Sequence, residues 1–140
     1  MNTSVDNIIG FLKELSGLQD IKSESDIFAD LGMTGDDLHE MIDKYSKRYS
    51  VNMEKYLWYF HTNEEGFNTG ALFFKPPYKR VKRISMTPQL LTEFANKGIW
   101  DMPYPDHNLP KRRYDLIINQ ILTGLFVLII ITVIAYKLIN

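Results

Sequence analysis

From Leu116 to Tyr136 the chain reads LIINQILTGLFVLIIITVIAY, and no charged residue interrupts it. Wound as a helix, a run of that length reaches about 30 Å, the thickness of the hydrocarbon core of a bilayer. Its second half is apolar on every side, which a soluble domain of this size could not cover. The run is therefore expected to be a transmembrane helix, not a buried core helix. The 140 residues leave room for one compact domain ahead of it, and 45% hydrophobic content is enough to give that domain a core.

The opening residues, MNTSVDNIIGFLKELSG, lack a basic lead and a long apolar stretch, so they do not resemble a secretory signal. Lys111, Arg112 and Arg113 stand directly before the apolar run, and only Lys137 and three further residues follow it. The bias of basic residues toward the inside predicts a tail-anchored protein of the bacterial inner membrane, single-pass, with its N-terminal domain in the cytoplasm. The chain has no cysteine, which excludes disulfides, thiol catalysis and cysteine-type zinc sites.

Val5, Ile8, Ile9, Phe11, Leu12 and Leu15 keep helical spacing and Gly17 follows, which predicts a first helix over residues 5–16. After a polar loop, Thr34 and Asp37 form a T-x-x-D capping signature. Leu38, Met41, Ile42, Tyr45 and Tyr49 then make one apolar stripe, predicting a second helix over 35–49. A short third helix is expected within NMEKYLWYFHTNEEG, with Tyr56, Leu57, Phe60 and Trp58 facing inward. Between Gly66 and Met86 the segments ALFF and RVKRISM suggest two extended pieces around Pro76 and Pro77. Thr87, Pro88 and Gly98 mark the cap, first residue and stop of another helix. Three regions follow: a domain over 1–103, a proline-rich basic tether over 104–113 and the anchor over 114–140.

Catalytic signatures are missing from this sequence. His39, His61 and His107 are isolated, and HEMID lacks the second histidine of a zinc-protease helix. There is no G-x-S-x-G and no phosphate-binding glycine loop, so an enzyme is the weakest class and no cofactor or metal is expected. Asp30, Asp36 and Asp37 could be read as metal or acid–base carboxylates, but they lack the alternating ligands and closing glutamate of an EF-hand. Carboxylates in a helix's first turn are already favoured by the macrodipole, by about 0.3–1 kcal/mol each.

Charge is distributed unevenly. Residues 1–43 carry ten acids and two bases, and residues 44–140 carry seven acids and fourteen bases. The acidic part includes Asp36, Asp37, Glu40 and Asp43 on the outer side of the second helix. The basic part includes Lys79, Arg80, Lys82 and Arg83, then Lys111, Arg112 and Arg113. Either that basic group is a solvated face, or it lays the domain on an anionic leaflet; nucleic acid is not expected as a partner. Within the span, Gln120, Thr123 and Gly124, with Asn119 beside them, could pack and hydrogen-bond against another helix.

The stretch DIFADLGM, followed by DDLHEMIDKY, resembles acyl carrier proteins, whose pattern is Asp-Leu-Gly, a variable residue, Asp-Ser-Leu and an acidic amphipathic helix. Asp30, Leu31 and Gly32 match directly and Leu38 takes the leucine position. Thr34 and Gly35 are inserted, and Asp37 stands at the serine position. A carboxylate cannot carry the phosphopantetheine arm, so carrier chemistry is not expected. With KPPYKRVKRISMTPQLLTEFANKGIW downstream, residues 5–107 also resemble domain of unknown function 1493, a family of uncharacterised bacterial proteins of acyl-carrier-like fold.

The resemblance implies a mainly α fold: an acyl-carrier-like helical bundle with a small extended or hairpin insertion, plus one C-terminal transmembrane helix. The functional expectation is a non-carrier docking or regulatory module. Its acidic face would meet a protein with a basic patch at the inner membrane, by analogy a lipid or acyl-chain enzyme. The alternative is an accessory or immunity-type membrane subunit that recognises its partner through the transmembrane helix.

Overall fold

The structure is a computed structural model describing residues 2–139, and it divides into two compact units: Met1–Glu65 with Val81–His107, and Gly66–Arg80 with Asn108–Asn140. It is mainly helical. Among the described residues there are four α-helices, α1 (Val5–Ser16), α2 (Gly35–Tyr49), α3 (Pro88–Lys97) and α4 (Tyr114–Ile139), with three short 3-10 turns between α2 and α3. No strand occurs among the described residues.

The first unit holds α1, α2 and α3. Helix α1 begins at a reciprocal cap between Ser4 and Asn7 and stops at Gly17, whose φ of 73° suits a residue without Cβ. Helix α3 starts as expected, with Thr87 Oγ1 accepting from the Leu90 N–H and Pro88 in the first turn, and closes on Gly98. The core is built from Phe11 and Leu12 of α1, Leu38, Met41 and Tyr45 of α2, Leu91 and Phe94 of α3, and Trp100 beyond α3. The long loop between α1 and α2 is anchored where the Ile27 N–H donates to the Met86 carbonyl at 2.9 Å, burying Ile27 completely.

Three local expectations are corrected. Thr34 is the N-cap residue of α2, but its side chain makes no capping bond; the hydroxyl donates to Glu65 Oε1 at 3.1 Å instead, so the T-x-x-D box does not form. The Gly35 N–H that opens the helix is taken by Thr62 Oγ1 at 2.9 Å, a partner distant in sequence. The expected third helix is a single 3-10 turn, Trp58–Phe60. Its aromatic side chains are held by tertiary ring packing, which does not require a continuous backbone ladder.

The third correction concerns the segment around Pro76 and Pro77: ALFF lies in and just after a 3-10 turn at Thr69–Leu72, a second turn follows at Pro77–Lys79, and RVKRISM forms no strand, residues 82–86 having no regular structure. Prolines donate no N–H to a ladder, and the Asn68 side chain caps the first turn by accepting from the Ala71 N–H at 3.1 Å. In this second unit the turn lies against the first turns of α4. A Cβ on Gly70 would come within 1.7 Å of the Asp115 carbonyl oxygen, so only glycine permits the approach. Helix α4 is long and apolar enough to cross a membrane, and the most apolar part of it is not covered by protein.

Candidate functional site

Asp36 and Asp37 occupy the exposed first turn of α2, where the free N–H groups and the helix dipole favour carboxylates. Glu40 and Asp43 follow on the exposed side, and each is paired one turn on: Glu40 with Lys44 and Asp43 with Lys47, both at 2.6 Å. Arg48 reaches Glu14 of α1 at 2.7 Å. The helix is thus acidic in its first half and basic in its second, matching its dipole. Glu65, which no local pattern singles out, is brought to the acidic end by its bond to Thr34.

Beside this end is a cleft of about 230 Å³, with Leu15, Leu31, Met33 and Met41 on its walls and Asp37, Glu40 and Lys44 at its polar edge. The volume is below the range of pockets for drug-sized ligands, roughly 300–1,000 Å³, and suits one long side chain better than a cofactor. Asp30 lies outside this group: its carboxylate accepts from the Asp26 N–H at 2.7 Å and shapes the loop. No cluster of three His, Asp or Glu side chains that could hold a metal occurs among the described residues.

The basic residues are divided between the units. Lys82 and Arg83 belong to the first; Arg83 forks onto both oxygens of Asp26, at 3.1 and 2.7 Å, with its guanidinium 4.8 Å from the centre of the Phe28 ring. Burial raises the Asp26 pKa, but hydrogen bonds from Arg83 and Ser85, the Arg83 charge and the Phe28 N–H outweigh it and hold the carboxyl below its ordinary range. Lys79, Arg80, Lys111, Arg112 and Arg113 belong to the second unit. Arg80 Nε donates to the Lys75 carbonyl, while Arg113 forks onto Asp115 at 2.9 and 2.5 Å. Of the polar residues in α4, Asn119 accepts from the N–H and hydroxyl of Thr69, whereas Gln120, Thr123 and Gly124 are exposed.

One buried polar group was invisible to local pattern. His61, fully buried, donates from Nδ1 to the Ile84 carbonyl at 3.1 Å and accepts at Nε2 from the Tyr104 hydroxyl at 2.9 Å. That hydroxyl in turn accepts from Trp100 Nε1 at 2.8 Å and from the Leu57 N–H at 3.2 Å. Burial pushes the His61 pKa down to about 4, so the ring is neutral and its two nitrogens have fixed roles. Tyr104 and His107, placed by sequence in the tether, lie in the first unit, His107 accepting from or donating to Tyr59 at 2.8 Å.

A family described as "Protein of unknown function (DUF1493)" matches residues 5–102. No curated protein and no solved structure matches the chain.

Proposed function

The chain belongs to the DUF1493 family, and from that premise, which carries no activity, we propose a membrane-anchored docking module that presents an acidic face to a basic partner protein. The observation that carries this reading is the small cleft beside α2, walled in part by Leu15 and Leu31 and edged by Asp37 and Glu40. A lysine or arginine of the partner can lay its aliphatic stem on the half-buried Leu15 and Leu31 and bring its charge to the carboxylates. Over the whole first unit nine bases face sixteen acids, a net of −7, which steers a basic partner by long-range attraction.

The partner in this reading is a protein of the bacterial inner membrane, by analogy an enzyme of lipids or acyl chains, met on the cytoplasmic side. The cytoplasmic placement rests on Lys111, Arg112 and Arg113 ahead of α4. An acyl-carrier-like ancestry that has lost carrier chemistry is consistent with the site. Asp37 replaces the hydroxyl nucleophile, and the start of α2, where a carrier would offer its arm, is bonded to Thr62.

The test replaces Asp36, Glu40 and Asp43 together with lysine in the full-length protein and captures partners from detergent-solubilised membranes. Capture is expected to fall sharply and in a salt-dependent way, while the circular dichroism spectrum stays that of the parent. The three changes disturb the dipole and two surface pairs, each worth under about 1 kcal/mol. Unchanged capture would exclude the acidic face. The second reading, an accessory or immunity-type subunit recognising its partner through α4, draws on Gln120, Thr123 and Gly124, exposed along that helix. Replacing Gln120 and Thr123 with leucine would abolish capture under that reading and leave it intact under the first.

A further inference from the structure

The first half of the segment Gly66–Arg80 shows large apolar side chains outward, while Asn68 and Thr69 between them are half-buried. Phe67, Leu72 and Phe73 are 88%, 83% and 68% exposed, while Asp115 beneath the turn is 2% exposed. The exposure does not come from a loose end. Asn68 Nδ2 donates to Asp115 Oδ2 at 3.0 Å, Thr69 donates twice to Asn119 Oδ1, and Gly70 sits against the Asp115 carbonyl. Phe74 packs on Tyr114 with ring centres 5.6 Å apart. The turn also meets much of its own backbone demand: the N–H groups of Ala71, Phe73, Phe74, Lys79 and Arg80 are bonded within the segment, and Pro76 and Pro77 have none to satisfy. A segment that keeps its hydrogen bonds to itself and its phenylalanines outside is suited to the boundary of a bilayer.

We infer that this segment is a strap inserted into an anionic lipid leaflet beside α4, with Phe67, Leu72 and Phe73 among the acyl chains and Lys75, Lys79, Arg80, Lys111 and Arg112 at the headgroups. The inference rests on the reading of α4 as a membrane span. Two observations favour lipid over a protein partner. The exposed apolar residues of the strap continue onto those of α4, Phe73 and Phe74 sharing an apolar recess with Ile118 and Leu122. The second unit also carries seven bases and a single acid, Asp115, which Arg113 neutralises, so its field is that of a surface facing anions. Each apolar side chain that leaves water is expected to strengthen attachment roughly tenfold or more.

The chain has no cysteine, so single-cysteine variants of the full-length protein take a nitroxide label at one place only. Labels at Leu72→Cys, Phe73→Cys, Val127→Cys and Glu54→Cys would be compared in nanodiscs of phosphatidylcholine with a minor share of phosphatidylglycerol. Collisional access to oxygen reports lipid, and access to a water-soluble nickel chelate reports solvent. The expected result is high oxygen and low nickel access at 127, the reverse at 54, and values at 72 and 73 like those at 127 but shallower. High nickel access at 72 and 73, with 127 still in lipid, overturns the strap alone. Low access to both reagents there means that protein, a second copy or a partner, covers the segment, and equally overturns it. A label at 127 that behaves like the one at 54 overturns the span and the strap together. In the Gly70→Val variant the added methyls must lift the turn from α4, and the depth at 72 is expected to change; an unchanged depth refutes the role given to Asp115 and Asn119.

Discussion

The two units solve opposite problems with the same residue types. The first buries Trp100, Phe11, Leu12 and Leu38 and shows carboxylates to solvent; the second buries Asp115 and shows phenylalanine, leucine and isoleucine. Their charges are opposite as well, net −7 in the first and, with seven bases against one acid, net +6 in the second. With α4 read as a membrane span, the contrast has one physical cause, the solvent that each unit would meet. Burial of apolar area stabilises a fold only where the outside is water, and in hydrocarbon the groups that must be hidden are the polar ones.

The contrast can be broken most directly by removing residues 114–140. The protein is expected to move from the membrane pellet to the soluble fraction, with any remainder released by salt; retention against high salt would mean that α4 is not the anchor. Matched deletions of apolar bulk should then separate the units by energy. Trp100→Ala removes a fully buried ring that packs on Phe94 at 4.6 Å and on Tyr56 at 5.1 Å, and should cost about 3–5 kcal/mol in denaturation measured in detergent. Leu128→Ala, on the exposed part of α4, should leave that transition in place. Equal losses would erase the distinction.

A smaller effect depends on pH. The unfolded chain protonates His61 near the ordinary 6.5, whereas the folded chain does so only at about 4, because burial disfavours the charged ring. Between those values unfolding takes up a proton. The contribution is therefore complete above pH 6.5 and falls as the pH drops toward 4, by at most about 3 kcal/mol. The slope of stability against pH over that window should flatten in His61→Gln, and an identical slope would show that other groups set it. The smallest expected effect is none at all: incubation with coenzyme A and a broad-specificity phosphopantetheinyl transferase should leave the intact mass unchanged. Even Asp37→Ser is expected to stay unmodified, because Glu65 and Thr62 bond to Thr34 and Gly35 at the start of the helix. A gain of one phosphopantetheine in the parent would refute the loss of carrier chemistry.

What the sequence determined by itself is whatever depends on near neighbours along the chain. The spans of α1, α2 and α3 follow from spacing and from their stop signals, Gly17 and Gly98 included, and α4 follows from the length of one uncharged run. The acidic first turn of α2 was legible for the same reason. Only tertiary structure decided the rest. Thr34 was expected to cap its own helix, yet its hydroxyl bonds to Glu65 while Thr62 reaches Gly35, because partners brought close by folding compete with local ones for the same groups. Arg83 looks like part of a basic run, but the fold sets it against Asp26 and Phe28, both more than fifty residues earlier. The segment around Pro76 and Pro77 has strand-like composition, and without a neighbouring strand to pair with it closes into turns against α4, bonding to Asp115 and Asn119. A hydrogen bond or ion pair depends on distance in space, and sequence encodes that distance only within a turn or two of helix.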